Sequence, residues 1–173
     1  MLAPLMLFYV GAVLFLNGLW ILGQVEDREL AIIDIFVGGL GLAVVLLTII
    51  FSQGNLASAE FGSQILLFAF TYLWVAYNRY AKPDGRGLGW FCLFVAITAV
   101  PIGLTVLSTS GGRVWPVWLG LNWLAWAVLW FLFFLLLARR MTQLTKLTGW
   151  LTLLEGIVTG WIPGYLLLSG RLA

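Results

Sequence analysis

Residues 115–140 read W-P-V-W-L-G-L-N-W-L-A-W-A-V-L-W-F-L-F-F-L-L-L-A-R-R, and no charge falls between Arg113 and Arg139. An apolar run of about 20 residues spans the hydrocarbon core of a bilayer as a helix, and this one is long enough. Trp123, Trp126 and Trp130 recur at i, i+3 and i+7, the spacing of one helical face. An indole has a broad apolar face and one N–H that needs a partner when buried. Facing lipid, that N–H goes unsatisfied; facing a narrow passage, it can pair with a small polar solute. The aligned tryptophans therefore read as the wall of a pathway.

The rest of the chain has the same character. It is 62% hydrophobic and 9% charged, against about 25% charged in a soluble domain. It reads as an all-α integral membrane protein forming one channel domain over residues 1–173. Six spans are expected at about 4–22, 31–51, 60–77, 88–107, 115–138 and 147–168. The first is read as a true span, because no basic segment or small-residue cleavage site marks a removable leader. A single cysteine, Cys92, excludes an intrachain disulfide, and the complete lack of histidine removes the commonest metal ligand. No basic cluster of the kind that binds nucleic acid is present. Neither a catalytic constellation nor a metal or cofactor motif is seen, so an enzyme is not expected.

Charge bias orients the spans. Arg28, Arg79, Lys82, Arg86, Arg139, Arg140 and Lys146 fall on one side, and Arg113 and Arg171 on the other. The positive side is cytoplasmic by rule, which puts both termini outside. A weak internal repeat accompanies this pattern. Odd spans carry aromatic stripes, and even spans carry Gly or Pro in their second halves (Gly38-Gly39, Pro101, Pro163-Gly164). Three helix hairpins around an axis fit it.

Polar residues inside the spans are the candidate pathway groups. Glu155 lies roughly 12 Å into the last span at 1.5 Å per residue. A carboxylate at that depth is costly and usually functional. Asn17 lies at a similar depth in the first span, so the two can share one level. An amide and a carboxylate suit a neutral solute with NH2 and C=O groups better than an ion. Asp34 is expected near the interface, capping or solvated, and Asn122 as packing glue. On the third span, Phe70 and Trp74 are i, i+4 neighbours, and Leu7, Val10, Leu14 and Asn17 form a stripe on the first.

The stretches L-F-Y-V-G-A-V-L-F-L-N-G (7–18), F-V-G-G-L (36–40), L-L-F-A-F-T-Y-L-W-V-A-Y-N (66–78), W-F-C-L-F-V-A-I-T (90–98), W-L-A-W-A-V-L-W (123–130) and W-L-T-L-L-E-G-I-V-T-G-W-I-P-G (150–164) cover all six spans in order. In them the chain resembles the urea/amide channel family, and its amide-transporter branch more than its acid-gated branch. The resemblance implies six helices per protomer in three hairpins, a pore through each protomer, and a homo-hexameric ring around central lipid. It implies urea and short aliphatic amides as solutes. It also implies an outer constriction at Val10, Leu14, Trp126, Leu129 and Trp130. The inner constriction would lie at Leu7, Phe70, Trp74 and Trp123, with Asn17 and Glu155 alongside. Trp74 and Leu119 depart from the acid-gated branch, which has tyrosine and tryptophan there. The loop of residues 53–58 is short and lacks the histidine of that branch.

The leading expectation is a passive, constitutively open channel for urea and small amides in the bacterial cytoplasmic (inner) membrane. Two alternatives stand beside it. One is a proton-coupled small-amide carrier using Glu155. The other is a docking protein whose basic loops hold a cytoplasmic amidase or urease.

Overall fold

The computed structural model describes residues 2–52 and 55–172. Residues 53 and 54 of the expected polar loop lie outside the described residues. The described chain is helical nearly throughout: α1 (Leu2–Ile21), α2 (Asp27–Phe51), α3 (Leu56–Ala81), α4 (Arg86–Ser108), α5 (Val114–Leu137), a short 3-10 turn (Thr142–Leu144), α6 (Thr145–Glu155), a π-helical turn (Gly156–Trp161) and α7 (Ile162–Leu168). The last four elements form one continuous rod, so six rods are long and apolar enough to cross a membrane. Leu2, Leu172, the end of α2, the start of α3 and the α4–α5 connector lie at one end of the bundle, here the termini end. The three connectors bearing most of the Lys and Arg lie at the other, the basic end.

Several helices outrun their apolar runs. α2 starts four residues before residue 31 and α3 ends four after residue 77. Hydropathy stops at the first charge, but the helix does not. Asp27 and Glu29 occupy the first turn of α2, where the N-terminal dipole favours acids. Asn55 caps α3, its side chain accepting from the Ser58 N–H at 2.9 Å. At the far end Lys82 adopts a left-handed conformation (φ 47) and Pro83 follows, which cannot continue a helix. Asp84 then accepts from the Arg86 backbone N–H at 3.0 Å and from its Nε at 2.6 Å. These Arg86 bonds hold the exposed Asp84 carboxyl below its ordinary range.

The rods pack as three antiparallel pairs: α2 with α3, α4 with α5, and α1 with the α6–π–α7 rod. The first two are hairpins; the third is closed between the first and last spans, across the whole chain. Small residues make that third contact possible. A Cβ on Gly11 would collide with the Trp161 backbone, and one on Gly160 with Gly11 itself. α4 runs unbroken through Pro101.

Pro163 lies two residues beyond the π-helical turn, in the first turn of α7. Proline has no N–H, so it donates neither to the carbonyl four residues back nor to the one five back. Those carbonyls belong to Thr159 and Val158. Both find donors on α5 instead: Asn122 Nδ2 donates to Thr159 O at 2.8 Å, and Trp118 Nε1 to Val158 O at 3.2 Å. Asn122 is interhelical glue, and the carbonyls it serves with Trp118 are those freed by Pro163.

Candidate functional site

Three cavities run in series along the bundle. The one at the termini end holds about 260 Å3 and is bounded by Leu7, Val10, Phe68, Trp115, Trp123 and Trp126. The middle one holds about 40 Å3 between Leu14, Asn17, Phe68, Tyr72, Trp126 and Trp130, with Thr71, Cys92, Leu129 and Thr152 also in its wall. That is room for about three water-sized centres. The basic-end cavity holds about 260 Å3 between Asn17, Trp20, Val75, Arg79, Leu88 and Phe133. Phe68 and Trp126 belong to both the first and the second. Asn17, Val75, Leu88 and Phe133 belong to both the second and the third.

Phe68 is the hub of the narrowing. Its ring centroid lies 5.7 Å from Trp123, 4.9 Å from Trp126 and 4.8 Å from Trp130, while Trp123 and Trp126 meet edge to face at 5.3 Å. Edge-to-face contacts at these separations are the favoured geometry of aromatic pairs. All three tryptophans are buried, so the helical stripe does face inward. The Trp126 indole N–H, however, is not free for a solute. It donates to Thr159 Oγ1 at 2.8 Å, and that hydroxyl donates on to Glu155 O at 2.6 Å.

The middle cavity is apolar with a few acceptors. Asn17 Nδ2 donates to Val13 O at 2.9 Å and to Asp34 Oδ1 at 3.0 Å. Both amide hydrogens are spent, which leaves the Asn17 oxygen as its remaining hydrogen-bonding group. Thr71 and Thr152 donate their hydroxyl protons to Leu67 O and Thr148 O, each at 2.7 Å. These hydroxyls therefore also offer lone pairs. A solute rich in N–H groups matches such a wall.

The structure places the expected residues unevenly. Leu14, Asn17, Trp126, Leu129 and Trp130 come together at the middle cavity, and Val10 lies one level nearer the termini. Leu7 and Trp123 line the termini-end cavity, whereas Asn17, expected at their level, lines the middle and basic-end cavities. Leu7 precedes Val10 on a helix that starts at the termini end, so it must lie nearer that end. Phe70 and Trp74 are 45% and 37% exposed on the flank of the bundle and line none of the three cavities; Trp74 packs on Phe91 of α4. Phe68 and Tyr72 line the cavities instead. Both pairs have i, i+4 spacing, and a two-residue offset turns a helix by about 200°. Periodicity finds the pair and leaves the face open.

Two acids also differ from expectation. Asp34 is fully buried, because α2 begins at Asp27 and so carries Asp34 two turns inside the helix. Glu155 is buried, but it borders none of the three cavities, and its Oε2 has no hydrogen-bond partner. Thr152, one turn earlier, reaches the middle cavity in its place. Among the described residues, no group of three His, Cys, Asp or Glu side chains is arranged to hold a metal ion.

Comparison with known proteins follows this geometry closely. A protein of Mycolicibacterium smegmatis, provisionally named an amidate substrates transporter, is 42% identical over 165 residues, which is 95% of this chain and 76% of that one. The acid-activated urea channel of Helicobacter pylori is 35% identical over 191 aligned residues, covering 94% of this chain and 95% of its own. The crystal structure of the Helicobacter pylori urea channel superposes with a TM-score of 0.87 at 36% identity, covering 100% of both chains. Its closed state, seen by electron cryomicroscopy, matches with the same TM-score at 35% identity over 99% of this chain. The model of the AmiS/UreI family transporters matches residues 2–171. This chain is a multi-pass membrane protein of the AmiS/UreI transporter family.

Proposed function

We propose that the protein is a passive channel that carries urea and short-chain aliphatic amides across the bacterial inner membrane. The observation that carries this reading is the series of three cavities, pinched at the Phe68–Trp126–Trp130 cluster. A planar neutral solute slides between ring faces and gives its N–H groups to Asn17 and the threonine hydroxyls. An ion pays heavily, because a dry constriction cannot replace its hydration. The relatives support the solute class, since one is named for urea and another for amidate substrates.

Three finer features belong to the same proposal. The channel is open without acid activation, because the chain has no histidine to titrate between about pH 5 and 7. Its termini face outward, by the excess of Lys and Arg on the opposite connectors. Protomers assemble as a ring of six, and outward-facing apolar residues such as Phe70 and Phe94 are available to line contacts between copies or lipid. Against a proton-coupled carrier stands the placement of Glu155 away from the cavities.

Stopped-flow reswelling of proteoliposomes in urea or acetamide tests the reading. Reswelling faster than empty liposomes, with equilibration and no accumulation, is expected. A rate equal to that of empty liposomes removes the channel. Uphill uptake driven by a pH gradient replaces it with the carrier.

A further inference from the structure

The basic-end cavity contains a charge for which solute passage alone gives no role. Arg79 sits in the last turn of α3 and is the charged side chain in that cavity's wall. Its guanidinium carbon lies 4.4 Å from the centre of the Trp20 ring, within cation–π range. Its Nη1 lies 3.6 Å from Asp27 Oδ1. The Trp20 indole N–H donates to that same carboxylate oxygen at 2.7 Å. Three helix ends, from α1, α2 and α3, thus hold one guanidinium in place. Its Nε is buried and makes no hydrogen bond within the chain.

The pair is asymmetric with respect to the cavity. The Arg79 side chain is 22% exposed and lines the wall; the Asp27 side chain is 53% exposed and lies outside it. A solute in the cavity therefore meets the cation first, while the carboxylate sits behind it in water, where its field is screened. Across this end of the bundle Arg28, Arg79, Lys82, Arg86, Arg139, Arg140 and Lys146 outnumber Glu26, Asp27, Glu29 and Asp84, so its net charge is positive.

We propose that Arg79 is a specificity-determining charge filter at the basic-end mouth, admitting neutral carbonyl solutes and rejecting protonated amidines and guanidines of the same shape. Urea and guanidinium are both small, flat and threefold branched. They differ in charge and in the carbonyl oxygen. Arg79 offers only donors, which suit the urea oxygen and find no acceptor on guanidinium. This inference rests on the transport reading above.

The test measures urea reswelling of proteoliposomes with and without guanidinium on both sides. Wild type and Arg79→Lys, which keeps the charge, are expected to be slowed less by guanidinium than the neutral variants are. Arg79→Gln and Arg79→Met open the mouth to the cation, which then stacks on Trp20 beside the unpaired Asp27 and obstructs it. Two like charges about 6 Å apart disfavour co-occupancy about threefold even at the dielectric constant of water, and more in drier surroundings. Guanidinium is therefore expected to slow urea flux through the neutral variants at a concentration at least about threefold lower than the one that slows wild type. Guanidinium slowing the wild type as much as the variants overturns the filter, and so does insensitivity of an assembled neutral variant. Arg79→Met keeps the apolar stem and serves if Arg79→Gln fails to assemble. A wild-type urea rate no faster than empty liposomes rejects the transport reading instead, so the two failures are distinct.

Discussion

The two sides of α1 differ in kind. On one side it meets the last span through glycine, with Gly11 against Gly160 and Gly18 against Leu153 so close that a single methyl group does not fit. On the other it faces the ring cluster of α3 and α5, where centroids stand 4.8–5.7 Å apart and cavities remain. Small residues let two backbones touch and close a seam completely. Rings are rigid plates that meet edge to face, and plates at angles leave crevices between them. The seam thus seals the first span to the last, and the porous side of the bundle is the aromatic one.

The contrast breaks most sharply at the seam. Gly160→Leu is expected to abolish assembly, seen as loss of a monodisperse peak in detergent, because the Gly11 backbone cannot move aside; normal assembly would mean the seam is not tight. Phe68→Ala is the corresponding change on the porous side. Deleting a buried phenyl ring costs about 3–5 kcal/mol in a packed core, yet here it also merges two cavities. The variant is expected to assemble with a lower melting temperature and to admit glycerol as readily as urea. Retained discrimination would place the narrowing elsewhere.

Smaller effects sharpen the comparison. Thr159→Val removes the acceptor of the Trp126 indole at the line where seam meets wall. Interhelical hydrogen bonds in membranes average about 0.6 kcal/mol and reach about 1.7. A small drop in melting temperature is expected, with altered urea flux because Trp126 is freed to turn, and Thr159→Ser is expected to restore both. Unchanged flux would make Thr159 structural only. Trp118→Phe loses one bond to Val158 O at 3.2 Å, so about 0.6 kcal/mol or less is expected with flux unchanged. The smallest effect is at Asp84. Its carboxyl is held below the ordinary range by Arg86, so any stabilisation is present above that range and fades as pH falls through the lowered value. Asp84→Asn is expected to lower the neutral-pH melting temperature only slightly, as the loss of one exposed ion pair does, and to flatten its acid limb by the same amount.

Much of this was legible along the chain and some of it was not. The tryptophan stripe of α5 reads inward because three indoles on one face have no comfortable alternative. The third span offers no such bias: F-A-F-T-Y-L-W over residues 68–74 has aromatic pairs on opposite faces, and the pair chosen from sequence, Phe70 and Trp74, is the outward one. Asp34 reads as interfacial when hydropathy sets the helix start and as buried once Asp27 and Glu29 are seen to begin α2. Pro163 announces a break, but the donors that heal it lie about 40 residues earlier, on α5.

By itself, the sequence determined six apolar rods, their alternation and their charged connectors, because crossing a bilayer demands about 20 apolar residues and internally paired backbone regardless of neighbours. Which face of each rod turns inward, that the first span closes against the last, and that Phe68 centres the narrowing were decided only by tertiary structure. Lipid and protein interior are equally apolar, so hydrophobicity cannot distinguish them; close packing and pairing of buried polar groups can.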